Sequence, residues 1–236
     1  SMTLISSGGF LPVNNLSSLV NTNIKEIIFA FLMLSSFFSI FLIYNLFFVR
    51  NKNISFFQED IYLFIYFILL TFLFFLLFNS EYNFSAILFS LASSVSNIGI
   101  SLDEPPLNLS FIFLILVIIG GSFFSTSSGI RFLKIYALFK FSINVLISHV
   151  RPKNIFLNKN LFLNITFQKV EIDKYFLSVI IFIISLLILA SFLTISGISL
   201  EYSFKLSILT LMNTVNSSMY GIEYFNFQEL QFFTKL

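Results

Sequence analysis

Apolar residues in this chain come in long unbroken runs joined by short polar connections, without the alternation of a half-buried strand or the single stripe of a surface helix. Residues 24–49 form one near-continuous apolar stretch, flanked by Lys25/Glu26 and Arg50/Lys52. Residues 61–78 form a second, preceded by Glu59 and Asp60, and residues 175–198 a last one, preceded by Asp173 and Lys174. Each is close to or above the ~20 residues a helix needs to cross a bilayer. Residues 107–148 are too long for one crossing and are interrupted by a Gly/Ser/Thr-rich stretch at 120–129.

Two apolar pieces are shorter, 84–95 and 202–215. Such lengths cannot span and suit a helix that enters the membrane and turns back. Each follows a polar connection and runs into a small-residue turn: Ser96-Asn97-Ile98-Gly99-Ile100-Ser101 and Asn216-Ser217-Ser218-Met219-Tyr220-Gly221. A third such turn, Ser6-Ser7-Gly8-Gly9-Phe10, opens the chain. A buried core helix is the alternative for either short piece, but the same element order recurs. Irregular backbone at membrane depth is tolerated only inside protein or along a water-filled path. Turns of this kind can present carbonyl oxygens to a dehydrating cation. The pattern therefore predicts an all-α integral membrane protein that conducts cations. It is built from repeated helix, pore helix, filter loop, helix units.

Composition agrees with the membrane assignment. The 236 residues are 57% hydrophobic and 10% charged, with a mean hydropathy of +0.95, whereas soluble domains carry roughly 25% charged residues. No cysteine is present, which excludes disulfides, thiolate metal sites and a thiol nucleophile. The lone His149 has no histidine partner and reads as a cytoplasmic loop residue, not a ligand. No nucleophile–base pair or acidic metal motif falls within the apolar runs, so an enzyme is not indicated.

Charge sets the orientation. If every span crosses, Arg50, Lys52, Lys140, Arg151, Lys153, Lys159 and Lys169 fall on one side. Glu81, Asp103, Glu104, Glu201, Glu223 and Glu229 fall on the other. The basic side is expected to be cytoplasmic, so the turns dip in from an acidic outer mouth that concentrates cations. There is no basic n-region at the start, and the chain opens and closes near a turn, so it is expected to be a piece of a longer repeat protein. The expected units are the end of one repeat (1–52), a complete repeat with a broken second helix (53–150), a cytoplasmic loop (151–172) and the start of a further repeat (173–236).

This ordered series resembles the Trk/Ktr/HKT superfamily of potassium transporters, most of all the bacterial Trk potassium-uptake membrane subunit. Ser6-Ser7-Gly8-Gly9-Phe10 is similar to that family's S-T-G-G-F second filter, and residues 28–42 to the helix that follows it. Ser96-Asn97-Ile98-Gly99-Ile100 with Asp103 stands where the third filter, T-T-T-G-F then D, would be. Residues 119–131, from Ile119-Gly120-Gly121 to Gly129-Ile130-Arg131, resemble I-G-G-C-x-G-S-T-x-G-G-I-K, and Arg151-Pro152 the H-P pair beyond it. Met219 replaces a glycine of the fourth pattern, N-x-G-P-G, and Phe124 and Ser128 replace glycines of the broken helix.

The resemblance implies a pore with pseudo-fourfold symmetry in the full chain, carrying potassium as transported ion with no covalent cofactor. Its filter would use backbone carbonyls around Ser7, Gly8, Gly9, Asn97, Ile98, Gly99, Ser218, Met219 and Gly221. Its gate would be an intramembrane loop containing Gly120, Gly121, Ser125, Thr126, Gly129 and Arg131. It further implies a multi-pass protein of the inner (plasma) membrane, a homodimer, and a cytoplasmic nucleotide-binding regulatory subunit docking on the basic 149–174 segment; no nucleic acid is expected. Two alternatives stay open for Arg131, a pore-facing or partnered arginine and one that snorkels to the interface. For the whole chain, the alternative is a truncated or divergent relative whose filter no longer conducts.

Overall fold

A computed structural model describes residues 20, 22–42, 55–78, 83–101, 109–150, 169–215 and 217–222. Its helices are α1 (Asn23–Phe37), α2 (Ser55–Phe78), α3 (Phe84–Val95), α4 (Ser110–Ile118), α5 (Phe132–Val150), α6 (Lys169–Ile195) and α7 (Leu200–Leu211). Between α4 and α5 a loop is closed by two short strands, β1 (Ile119–Gly120) and β2 (Ile130–Arg131), paired in parallel with Ile119 opposite Ile130.

Helices α2 and α6 are 24 and 27 residues long. At 1.5 Å per residue they exceed the ~30 Å hydrocarbon thickness. Both pass for membrane spans in length and apolarity, and both are apolar on all sides. On α2, Leu63, Phe67 and Phe74 are buried while Phe64, Ile68, Leu69, Phe72 and Leu76 face outward. An exposed apolar face of that extent suits lipid. This is a membrane protein with a mostly helical fold.

The short helices α3 and α7, 12 residues each, do not span and sit inside this frame. Helix α3 buries Ile87, Phe89, Leu91, Ala92 and Val95, and packs against α1, α2 and α4. Helix α7 packs against α6 and α4. In both cases a helix from the preceding unit, α1 or α4, leans on the next short helix. The two short helices are of equal length, which sets Phe84 against Leu200 and Val95 against Leu211.

Three expected boundaries shift. The stretch 24–49 is not one helix, because α1 stops at Phe37. The amides that would bond the Ser36 and Phe37 carbonyls go elsewhere, Ile40 N–H to Phe124 O (3.1 Å) and Phe41 N–H to Ser39 Oγ (3.2 Å). No Pro or Gly marks this break; the tertiary bond to Phe124 O and the local one to Ser39 Oγ replace the helical pairing. Helix α6 begins at Lys169, inside the expected cytoplasmic loop. His149 lies in α5 instead of a loop, exposed, with Nδ1 2.8 Å from Val145 O. Residues 151–168 lie outside the described residues, as do Arg50, Lys52, Glu81, Asp103 and Glu104.

The buried stripe of α1 is Ala30, Met33, Leu34 and Phe37, at helical spacing. Met33→Ala leaves a cavity in this core, and we expect it to cost about 2–5 kcal/mol, read as a lowered unfolding temperature in detergent. The lipid-facing Phe72→Ala should leave that temperature within a degree or two.

Candidate functional site: two re-entrant turns and an intramembrane loop

Helix α3 ends by folding three amides onto one residue. Ile98 N–H and Gly99 N–H both donate to Ser93 O (3.0 and 3.3 Å), and Ile100 N–H to Ser93 Oγ (2.7 Å). In a trans peptide the carbonyl points opposite to the following N–H. The carbonyls of Asn97, Ile98 and Gly99 therefore point away from α3. The turn needs a left-handed residue just past the helix, and Asn97 supplies it at φ 62°, the non-glycine type that tolerates this region best. Gly99 follows at φ 78°.

Helix α7 ends in the same way. Met212 N–H donates to Ile208 O (2.9 Å), Asn213 takes φ 51°, and Thr214 N–H returns to Leu209 O (2.9 Å). The counterparts of Asn97-Ile98-Gly99 are thus Asn213-Thr214-Val215. The two turns touch: Val215 N–H donates to Ile98 O (3.3 Å), and a Cβ on Gly99 would lie 2.5 Å from Val215 O and 2.7 Å from Thr214 Cγ2.

This moves the fourth turn away from the residues expected to form it. Ser218, Met219 and Tyr220 make a 3-10 turn that buries Met219 and Tyr220 completely. Met219 adopts no positive φ; that conformation falls on Gly221, at φ 65°. The Gly221 carbonyl accepts from Lys205 Nζ (3.3 Å), whose ammonium also pairs with Glu201 (2.7 Å) and holds that exposed carboxyl below the usual range. Residues 218–221 thus follow the turn instead of forming it. Asn213 carries no glycine signal, yet it takes the left-handed conformation as Asn97 does after α3. Asn216, Ser7, Gly8 and Gly9 lie outside the described residues.

The loop between the halves of the broken helix is closed on itself. A Cβ on Gly120 would sit 2.5 Å from Ser128 O, and one on Gly129 2.9 Å from Gly120 Cα, so the strands need glycine on both sides. Arg131 turns inward, and its Nη1 donates to the carbonyls of Ser122, Ser125 and Ser127 (3.1, 3.2 and 2.9 Å) and to Ser125 Oγ (2.8 Å). These bonds fit the partnered alternative: Arg131 holds the loop together. Ser127 Oγ accepts from Gly121 N–H (2.9 Å) and lies 3.0 Å from Ser125 Oγ.

The closed loop docks where α1 breaks. Ser122 N–H donates to Phe37 O and Ser127 N–H to Ser36 O, both at 3.1 Å, and the Thr126 hydroxyl to Ser36 O (3.3 Å). Two carboxylates that the sequence suggested as span-flanking charges complete the seam. Glu59 and Asp60 are 1% and 3% exposed. Glu59 Oε2 accepts from Phe123 N–H (3.2 Å) and Asp60 Oδ1 from Ser39 N–H (3.0 Å), one amide from each broken segment. Arg131 is near enough to interact with Glu59 electrostatically.

The structure matches the crystal structure of the potassium transporter TrkH from Vibrio parahaemolyticus with a TM-score of 0.77 at 20% identity. The match covers 89% of this chain and 47% of the transporter chain, so this chain spans about half its length. The fold is Trk-like. No protein-family model matches the sequence, and no curated protein does.

Glu59→Ala removes the acceptor for a buried loop amide, a loss of about 1–3 kcal/mol. Hydrogen exchange at residues 122–126 should accelerate roughly tenfold, with α6 unchanged. Gly121→Ala should do more, because its Cβ would clash with Phe37 O and force the loop off α1.

Proposed function

We propose that the chain is part of the membrane subunit of a potassium-uptake system. Ions would pass where the re-entrant turns converge, gated by the loop at residues 120–131. The observation that carries this is the meeting of two short helices at the Gly99–Val215 contact, with the carbonyls of Asn97, Ile98 and Gly99 turned away from their own helix. Such carbonyls can replace part of the hydration shell of a monovalent cation. The match to a structure of a potassium transporter supports the same reading. In this reading Ser7, Gly8 and Gly9 contribute a further turn, Asn213–Val215 takes the place first given to Ser218, Met219 and Gly221, and Gly120, Gly121, Ser125, Thr126, Gly129 and Arg131 form the gate. The chain would be multi-pass in the plasma membrane, in a homodimer, with a cytoplasmic nucleotide-binding regulatory subunit on its basic face.

One observation favours the alternative of a non-conducting relative: the Ile98 carbonyl is taken by Val215 N–H, and valine stands opposite the position of Gly99. Complementation separates the two. The full-length gene should restore growth of an uptake-deficient bacterium at limiting potassium. Gly99→Ala, whose Cβ has no room and whose φ favours glycine, should lower rubidium uptake at least tenfold with unchanged membrane abundance. A wild type that fails to rescue, or a Gly99→Ala variant that transports normally, would remove the proposal.

A further inference from the structure

A single hydroxyl joins the intramembrane loop to both described turns. Helix α4 stops at Ile118, so Val117 O lacks its usual amide four residues on; Gly121 N–H donates to Ser127 Oγ instead. Asn97 takes over that carbonyl. Its Nδ2 donates to Val117 O (3.0 Å) and to Ser128 Oγ (3.2 Å). The Ser128 hydroxyl donates in turn to Met212 O, the cap of α7. Asn97 is wholly buried and Ser128 half-buried, so the chain of bonds starts in a low-dielectric interior, where losing a partner is costly.

The geometry makes Ser128 part of a body that cannot shift piecemeal. It adjoins Gly129, which lies tight against Gly120 across the strand pair, while Arg131 holds the rest of the loop from inside. A loop that swings away from α1 takes Ser128 with it. Asn97 then keeps Val117 O alone and Met212 O loses its hydroxyl donor, at the ends of the two helices whose turns meet at Gly99 and Val215.

We propose that Ser128 is a positioning residue through which the intramembrane loop sets the geometry of both turns, so that loop and filter are coupled elements instead of independent ones. The proposal rests on the filter-and-gate reading for its consequence in transport, but the coupling itself is a property of the bonds. Coupling is reciprocal: whatever orders the turns also holds the loop, and a displaced loop loosens the turns.

The test is hydrogen exchange on the full protein in lipid nanodiscs, paired with uptake. Ser128→Ala removes both bonds with little change in volume. It should speed exchange about fivefold, the loss of roughly one net hydrogen bond, at 121–129 and at both turns, 97–99 and 213–215. Thr126→Val removes the loop's hydroxyl bond to Ser36 on the opposite side, and should speed exchange within 121–129 alone. Ser128→Thr keeps the hydroxyl and should keep the wild-type rates at the turns. Turns that stay at wild-type rates in Ser128→Ala, or that loosen equally in Thr126→Val, overturn the proposal. In uptake, Ser128→Ala should lower the ratio of potassium to sodium flux, a property of the turns. If the wild type carries no monovalent cation while Ser128→Ala still loosens both turns, the transport reading fails and the coupling stands. If the wild type takes up potassium and the turns ignore Ser128→Ala, the reverse holds.

Discussion

Backbone amides and carbonyls cannot be left unpaired inside a bilayer, and among the described residues several helices end or break within or beside the apolar spans. Each break is supplied with local acceptors and donors. At the end of α3 the supplier is Ser93, through both its carbonyl and its hydroxyl. At the break in α1 it is Asp60, Ser39 and the Phe124 carbonyl. At the end of α4 it is Asn97, and within the loop it is Arg131 with Ser125 and Ser127. The abundance of serine in these segments is thus a consequence of the breaks. Short hydroxyl side chains satisfy backbone groups without demanding the space that water would.

Much of this was legible in the sequence where the signal was length or flexibility. The run from Phe84 to Val95 was too short to span, and the structure ends the helix at those two residues. The interruption at 120–129 was legible because consecutive glycines and serines do not continue a helix. Three features were hidden for different reasons. The break after Phe37 has no Pro or Gly to signal it, and it goes with the loop's hold on the carbonyls of Ser36 and Phe37 and the bonds of Ser39. Glu59 and Asp60 looked like ordinary charges at the start of a span; only the fold shows that they face two broken segments. The turn after α7 lies at 213–215, ahead of the 216–221 segment that resembles N-x-G-P-G, because Asn213 makes the left-handed turn without a glycine.

Arg131 illustrates why a costly residue does not by itself identify a path. An arginine in an apolar segment invites assignment to a pore or to the interface. Here one guanidinium nitrogen, Nη1, is turned onto carbonyls of its own loop, which have no helical partners. The loop turns several carbonyls inward, and a cationic donor at their centre offsets their converging partial charges. Resemblance to a glycine-rich motif pointed to the right segment, while the arginine's role came from geometry alone.

The number of bonds holding the loop bears on how such an element could serve as a gate. It docks through Ser122 to Phe37, Ser127 and Thr126 to Ser36, Ile40 to Phe124, Phe123 to Glu59, and Ser128 to Met212 and Asn97. At about 1 kcal/mol net for each bond, release costs several kcal/mol before any new contact forms. Thermal motion alone would leave a loop so held open only rarely, because reversing a strongly biased two-state equilibrium takes about 5.5 kcal/mol of differential binding. A gate of this construction needs an outside source of free energy that favours the displaced loop. The seam it must act on is the α1 break with Glu59 and Asp60. Ser128 lies on the opposite side, where the displacement would reach the turns.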